Sequence, residues 1–350
     1  MNIYEYRSLT NAVNKVKVVQ PFLLNMFFKE GIERHDSDLI LVELVESSAR
    51  VARFAGKNSP PHPVKNRTRK AYEFKIPRTF ESKPFTAEEL SNFKESADGM
   101  YIGSAEDRKA QVRTKIIDEV KTLKERVINR RELMAAQSIV SGTVTVNEDG
   151  VIKTADYGFV PGTHLITYAG TSKWDGSAGD IAGDFVKYPR AIRRRTLDPS
   201  AQIVCILGTA AADVFRKDVT VQKELNTMNF KVGTLNLDNV PDISGTNFIG
   251  KYKGVYVYEY SQGVFDETNT EIEIFPVNRA VFGVKCADNR IHAGPIYRID
   301  PETKQTIKII NEMYLDAVTD KYQQTLEWLL EQKSLTIVHD ADRFVSIQVL

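Results

Sequence analysis

Residues 104–141 read SAEDRKAQVRTKIIDEVKTLKERVINRRELMAAQSIVS, a run without glycine or proline that stops at Gly142. The apolar residues recur every three or four positions, at Val112, Ile116, Val120, Leu123, Val127 and Met134. This spacing predicts one apolar stripe along a single helix. Ser104 and Asp107 have the form of a capping box at its start, and Gly142 supplies its stop. At ~1.5 Å per residue the helix spans on the order of 50 Å, so other elements must be laid along it.

Length, charge and cysteine content limit the class of protein. A chain of 350 residues exceeds the roughly 250–300 at which one hydrophobic core stops growing, so two compact regions are expected. A net charge of +1 argues against a nucleic-acid binder with a broad basic surface. Cys205 and Cys286 lie among apolar residues, which is typical of core thiols in a reducing compartment. Neither a signal-peptide pattern nor a membrane-length apolar run is present, so a cytoplasmic product is expected.

Residues 1–54 are predicted to form an arm with two short helices and extended pieces. Its most apolar part is FLLNMFF, residues 22–28, which contains Phe22, Phe27 and Phe28. A short exposed helix does not tolerate so many large apolar side chains. Either the chain's own domain or a neighbouring subunit must therefore cover them, and the pattern alone does not choose.

The next stretch, residues 56–83, is proline-containing and strongly basic. Its basic residues are Lys57, Lys65, Arg67, Arg69, Lys70, Lys75, Arg78 and Lys83, against only Glu73 and Glu81. Tyr72, Phe74 and Ile76 alternate with charged residues, which predicts a strand with one apolar face. The stretch fits an arm laid over an acidic neighbour, a surface loop without a role, or a nucleic-acid contact. The aromatic residues lack the regular spacing of a base-stacking platform, which weakens the last alternative.

The remainder predicts a hairpin, a helix and a strand-rich second region. Residues 143–146 and 151–154 flank a polar turn and form the hairpin. Residues 180–195 form a helix that ends in Arg193, Arg194 and Arg195, a run that either complements the helix dipole or contacts nucleic acid. Residues 201–207 and 255–260 are predicted strands, and residues 344–349 form a closing strand. Residues 325–331 have helical propensity but lie just before a strand pattern.

Patterns that carry chemistry are scarce. None of the five histidines lies in a His-x-x-x-His pair or beside a cysteine, so a zinc site has no support in the sequence. Residues 339–342, HDAD, read as a polar turn between strands rather than as a cation site. The glycines of residues 176–183 are not followed by the Gly-Lys-Ser/Thr of a phosphate loop. We therefore expect no enzyme activity, no cofactor and no metal.

The chain is similar over its full length to the phage major capsid protein E family, the lambda-type head proteins. The resemblance is carried by five stretches in shared order: residues 22–30, FLLNMFFKE; 169–174, AGTSKW; 250–255, GKYKGV; 276–278, PVN; and 340–348, DADRFVSIQ. Each stretch is moderately specific alone. Their order and spacing from the first thirty residues to the last ten make the resemblance strong.

This resemblance implies an α+β protein with the Hong Kong 97-type capsid fold. The parts implied are an N-terminal arm (1–54), an extended β-hairpin loop (55–98), a peripheral domain (99–194) with a spine helix (105–141), an axial domain (195–325) and strands returning to the peripheral domain (326–350). The family has strand where residues 327–330 look helical, so strand is expected there. The prolines at 60–61 and the arginines at 193–195 match no family feature.

The function implied is that of a major head subunit of a tailed phage or prophage. The subunits are expected to assemble in the host cytoplasm through pentamers and hexamers into an icosahedral virion shell around double-stranded DNA. Scaffolding, portal and decoration proteins are the further partners implied, and no membrane is involved. Contacts between subunits are expected from Lys65, Arg67, Arg69, Lys70, Tyr72, Phe74, Phe22, Phe27 and Phe28, and DNA contacts from Arg193, Arg194 and Arg195. The alternatives are a nanocompartment shell protein of the same fold that holds a cargo enzyme, and a non-viral nucleic-acid binder.

Overall fold

The computed structural model describes residues 21–45, 69–86, 105–148, 151–225, 233–235, 245–265, 270–285, 288–299, 304–320 and 325–350. The helices are α1 (Phe22–Phe27), α2 (Ala105–Ser141), α3 (Ile181–Thr196), α4 (Thr209–Lys217) and α5 (Val219–Leu225), with 3-10 turns at Gly170–Ser172 and Ala341–Arg343. The strands of the first half are β1 (Phe28–Arg34), β2 (Leu39–Val45), β3 (Arg69–Lys75), β4 (Arg78–Thr86), β5 (Thr143–Glu148), β6 (Val151–Asp156) and β7 (Leu165–Thr167).

The strands of the second half begin at residue 203. They are β8 (Ile203–Gly208), β9 (Gly233–Leu235), β10 (Thr246–Tyr252), β11 (Val255–Tyr260), β12 (Gly263–Phe265), β13 (Glu271–Glu273), β14 (Arg279–Val284), β15 (Asn289–Ala293), β16 (Ile296–Ile299), β17 (Thr306–Ile309), β18 (Tyr314–Asp320), β19 (Thr325–Ile337) and β20 (Phe344–Gln348). No helix within the described ranges is long and apolar enough to cross a membrane.

Helix α2 confirms the predicted long helix. The described part of its stripe is buried, at Val120, Leu123, Val127 and Met134. The helix ends at Gly142, whose φ of 69° is left-handed backbone that a residue with a Cβ rarely adopts. The predicted cap at Ser104 and the side chains of Val112 and Ile116 lie outside the described residues. At ~1.5 Å per residue the 37 residues span about 55 Å.

A seven-stranded sheet, in the order β7-β20-β14-β8-β11-β10-β9, is covered on both faces. Along β8, Ile203, Cys205 and Leu207 pack with α3 and α4, while Val204 and Ile206 face the core shared with α2. Successive side chains of a strand point to opposite faces, so a continuous apolar run can fill two layers. Cys205 is fully buried, as the sequence predicted for a core thiol, while Cys286 lies outside the described residues.

A second sheet, in the order β1-β15-β19-β18 with β4 also paired to β19, lies against α2. Strand β19 runs from Thr325 to Ile337, so the expectation of strand at residues 327–330 is confirmed. Trp328 and Leu330 of β19 pack with Leu123 and Val127 of α2. This segment is a strand despite its helical propensity because β4 and β18 pair along its two edges.

Both large sheets combine strands from different predicted regions. Closing strand β20 pairs with β14 and β7, and β19 pairs with β18 and β15. The predicted hairpin appears as β5 and β6, and the helix of residues 180–195 appears as α3. Asp180 caps α3 by accepting the N–H of Gly183 at 2.7 Å.

Candidate functional site

The apolar arm segment is covered by the chain itself. Phe27 is 0% exposed and Phe28 is 3% exposed in the single chain. The ring of Phe27 packs edge-on against that of Phe344, with 5.4 Å between the ring centroids. Both rings lie over Gly283, where an added Cβ would come within 2.6 Å of Cε1 of Phe27. The expectation that Phe27 and Phe28 await a neighbouring subunit is therefore corrected, because a side chain already inside its own core has no surface to offer. Phe22 is only partly buried, with its ring 5.2 Å from that of Tyr258.

A buried carboxylate from α2 holds the first turn of α1. Pro21 stands at the N-cap position of α1 and makes no side-chain capping bond. Glu132, 1% exposed, accepts the backbone N–H of Leu23 at 2.7 Å and that of Leu24 at 3.2 Å. These two N–H groups lie in the first turn of a helix, where backbone N–H groups find no acceptor within the helix itself. A third bond comes from the Tyr260 hydroxyl at 3.2 Å.

Burial sets the protonation of this carboxylate. It raises the pKa of Glu132 to about 7, although the two amides and the Tyr260 hydroxyl act to lower it. Burial and the neighbouring Glu132 in turn raise the pKa of Tyr260. The attachment of the arm to the long helix therefore carries a group that titrates near neutral pH. Glu132 does not belong to the apolar stripe of the helix, and only its distant partners reveal its role.

Strands β2 and β3 form a two-stranded hairpin with large apolar side chains on both faces. On the inner face, Ile40 and Val42 pair with Phe74 and Tyr72, and the Phe74 ring meets Tyr157 at 5.7 Å. Phe74 is 6% exposed in the chain's own core, so it is not available as a contact residue, whereas Tyr72 is partly buried.

On the outer face, defined by Leu39, Leu41, Glu73 and Lys75, the two leucines are 53% and 71% exposed. No motif in the sequence marks these leucines. Their alternation with buried Ile40 and Val42 was the available signal, since it places two large apolar side chains on the face away from the core.

The basic stretch is partly neutralised within the chain. Lys65 and Arg67 lie outside the described residues, and Arg69 and Lys70 are placed at the start of β3 by their backbone. Further along, Arg78 forms an ion pair with Glu331 at 2.6 Å, and Lys83 approaches Glu119 at 3.7 Å. Arg298 joins Glu331 from β16 at 2.7 Å, so two guanidinium groups share one buried carboxylate.

The three arginines at the end of α3 do not share one surface, since Arg193 and Arg194 line a cleft that Arg195 does not. Arg195 is partly buried, with its Nη1 atom 3.8 Å from Asp342 and within 3.5 Å of the Thr163 carbonyl oxygen. Asp342 also bonds His164 at 3.1 Å. Arg195 therefore ties α3 to the turn before β20, and its expected contact with DNA stays a prediction. A bond inside the segment confirms residues 339–342 as a turn, because Asp340 accepts the N–H of Asp342 at 3.0 Å.

Arg194 is exposed and lies on a basic cleft of about 410 Å³. Arg190, Arg193 and Lys253 line the same cleft. A second cleft beside it adds Lys187. The sequence patterns do not predict this cleft, because Lys253 lies in the β10–β11 turn, more than fifty residues from the arginines of α3.

Three of the five histidines meet at the edge of the second sheet. His35 Nε2 lies 2.7 Å from His292 Nδ1, and the His339 ring is 5.3 Å from that of His292. Glu33 joins His35 and His292 so that one ligand atom of each lies within 4.8 Å of the others. Burial and the neighbouring His339 lower the pKa of His292 to about 4. The sequence contains no motif for this cluster, because His35 and His292 are 257 residues apart.

The fold is shared with solved capsid proteins. A protein described as a prophage capsid protein, from E. coli CFT073, matches with a TM-score of 0.68 at 14% identity, with 99% of each chain covered. The capsid protein of cyanophage A-1(L) matches with a TM-score of 0.54 at 13% identity, covering 96% of this chain and 94% of its own. A phage-related protein of Bordetella bronchiseptica RB50 gives a TM-score of 0.56 at 8% identity, covering 99% and 97%. The chain thus has the Hong Kong 97-type capsid fold.

The sequence itself assigns the family. The family model for phage major capsid protein E matches residues 5–349, so the chain belongs to that family. It is a structural capsid subunit of a phage or prophage, and the resemblance noted in the sequence is confirmed. A search of curated proteins finds no match.

Proposed function

We propose that copies of this chain assemble through pentamers and hexamers into a closed icosahedral shell that encloses double-stranded DNA in the virion. Assembly takes place in the host cytoplasm with scaffolding, portal and decoration proteins as partners, and the subunit catalyses no reaction. Residues 1–54 act as the arm, 55–98 as the extended loop, 99–194 with 326–350 as the peripheral domain, and 195–325 as the axial domain. Membership of the capsid family supports assembly into a shell, and the exposed and charged residues of the chain support the assignment of the contact surfaces.

The observation that carries the proposal is the outer face of the β2–β3 hairpin. Leu39 and Leu41 are exposed residues of a strand whose alternate residues, Ile40 and Val42, fill the chain's own core. Burying an exposed leucine stabilises an interface by about 1.5–3 kcal/mol. Glu73 and Lys75 flank the leucines, so the face offers both signs of charge beside an apolar centre. A second copy of the chain is the partner we assign to this face.

The basic residues Lys65, Arg67, Arg69 and Lys70 are proposed to form ion pairs with an acidic surface of the neighbouring subunit. Their support is the charge of the stretch, since Arg78 and Lys83 further along are already paired within the chain. Reversing all four charges should lower the yield of particles and reduce its dependence on salt. Unchanged yield and unchanged salt dependence would show that this assignment is wrong.

The test of assembly compares the full chain with a variant of the outer face. Purified wild-type chain should form closed particles by negative-stain microscopy and elute as large assemblies. The double variant Leu39→Ser/Leu41→Ser should remain small while keeping the wild-type circular dichroism spectrum. Val219→Ser is the matched control, because Val219 is 59% exposed on α5 and should leave particle yield unchanged. Particles that contain an enzyme cargo and no DNA would instead favour a nanocompartment shell.

A further inference from the structure

The edge of the second sheet brings together three metal-ligating side chains through strand register. β1 and β15 run parallel, with Glu33 opposite His292. The N–H of His35 bonds the carbonyl oxygen of Ala293 at 2.9 Å, so the ladder continues one residue beyond β1. Residues two apart on a strand share a face. Glu33 and His35 therefore project beside His292 on one surface of the sheet.

The donor set suits a borderline transition-metal ion. We propose that Glu33, His35 and His292 bind one divalent ion of the zinc class, which joins the arm strand β1 to β15. Two imidazoles with one carboxylate are a recognised three-ligand set for zinc, with a fourth position left for water. The ligand atoms lie within 4.8 Å of one another. Glu33 and His35 are partly exposed, so an ion and its water can reach the site from solvent.

Only a small movement separates the observed geometry from a coordinated one. Two nitrogens bound tetrahedrally at ~2.0–2.1 Å lie about 3.3 Å apart. His35 Nε2 and His292 Nδ1 are 2.7 Å apart, so the rings must open by about 0.6 Å. The ring of His35 can move about its side-chain torsions because it is partly exposed, while its backbone stays bonded to Ala293. His292 is fixed by burial at 3% exposure.

Two further contacts bear on the site. Among the described residues, the Nε2 atom of His292 is buried without a hydrogen-bond partner, so no outer group selects the tautomer that leaves Nδ1, the atom facing His35, free to bind an ion. Arg290 donates to Glu33 at 2.9 Å and competes with an ion for this carboxylate. Arg290→Ala should therefore strengthen metal binding, an effect opposite to that expected if the cluster were only an ion-pair network.

The experiment uses chelator-treated full-length chain and zinc chloride. Calorimetric titration should show one zinc ion per chain, with a raised thermal midpoint in excess zinc because the ion binds the folded state. Glu33→Gln and His35→Ala should each weaken binding by about 100-fold or more, beyond the 10–100-fold typical of outer-shell partners. Cobalt substitution should give a visible absorption band that is lost in both variants.

Glu30→Gln is the matched control, because Glu30 is an exposed glutamate on the same strand. It should bind zinc with wild-type affinity. Absence of saturable one-to-one binding in the wild-type chain would overturn the proposal. So would unchanged affinity in Glu33→Gln and His35→Ala. Both variants alter partly exposed side chains, so their folding can be checked by circular dichroism before titration.

Discussion

Glu132 Oε1 accepts the backbone N–H of Leu23 at 2.7 Å, which links residues 109 positions apart. The six-residue helix α1 has no cap of its own, and the long helix α2 supplies one through this carboxylate. An isolated helix of six residues is unstable in water, so α1 depends on what it packs against. The arm is thus attached to the spine by backbone hydrogen bonds as well as by apolar contacts.

Removing this cap should destabilise the chain. Glu132→Ala leaves the N–H groups of Leu23 and Leu24 buried without their acceptors, and one unsatisfied buried group costs about 1–3 kcal/mol. We expect a loss of about 2–4 kcal/mol in the free energy of unfolding, measured by urea denaturation. Glu125→Ala, a partly exposed glutamate of the same helix, should change it by less than about 1 kcal/mol.

The pH dependence of stability should carry the signature of Glu132. Its pKa in the folded chain is about 7, above the ordinary 4.5, so the folded chain holds this proton more tightly than the unfolded chain does. Stability from this group is therefore full below pH 4.5, falls as pH rises towards 7 and then levels off, a change of up to about 3 kcal/mol. Glu132→Gln cannot titrate. The difference between wild type and this variant should vary with pH over that window, and a difference that is constant with pH would contradict the assignment.

Gly142 ends α2 where no other residue fits. Its φ is 69°, and a Cβ there would lie 2.3 Å from Cγ of Phe159. Gly142→Ala should cost about 2–4 kcal/mol from backbone strain and overpacking together. Gly162→Ala isolates the backbone contribution, because Gly162 has a φ of 78° and open space around its Cβ position. It should cost about 1 kcal/mol, so equal losses in the two variants would show that Phe159 does not matter.

Glu331 links three strands through Arg78 and Arg298. It is 2% exposed, whereas the side chains of Arg78 and Arg298 are 47% and 23% exposed, so removing it leaves two unpaired guanidinium groups of which Arg298 is the less solvated. Glu331→Ala should cost about 2–3 kcal/mol by thermal or urea unfolding, less than the loss of one partner of a fully buried pair because solvent still reaches Arg78. The pair of Arg126 and Glu81 is the control, since it lies at 3.1 Å but is largely solvated. Glu81→Ala should cost less than about 1 kcal/mol, and a similar loss in both variants would argue against a special role for burial.

The elements that the sequence predicted well are those determined by residues close together in the chain. The α2 stripe, its stop at Gly142 and the hairpin of β5 and β6 depend on residues close in sequence, and all appear in the structure. Residues 327–330 required the family resemblance, because their local propensity is helical while β4 and β18 hold them as strand.

The contacts that the sequence could not predict join distant residues. Glu132 looks like a surface residue until α1 is placed on it, and the apolar arm residue Phe27 needed Gly283 and Phe344 to show where it is buried. The alternation along β2 indicates that Leu41 is exposed, but it does not indicate which surface covers the outer face of the hairpin. His292 became part of a cluster only through the register of β1 and β15.

The arginines near the end of α3 differ in role: Arg195 has a structural contact, and others are candidates for contact with DNA. Arg190 and Arg194 line the basic cleft, whereas Arg195 is committed to Asp342. We expect Arg190→Glu/Arg194→Glu to fold normally and to bind a short DNA duplex more weakly. Two phosphate contacts fewer should reduce the slope of log K against log salt by about 2. Arg195→Ala should instead lower the thermal midpoint, because it removes a partly buried ion pair. If the double variant leaves the salt slope unchanged, the cleft does not contact DNA.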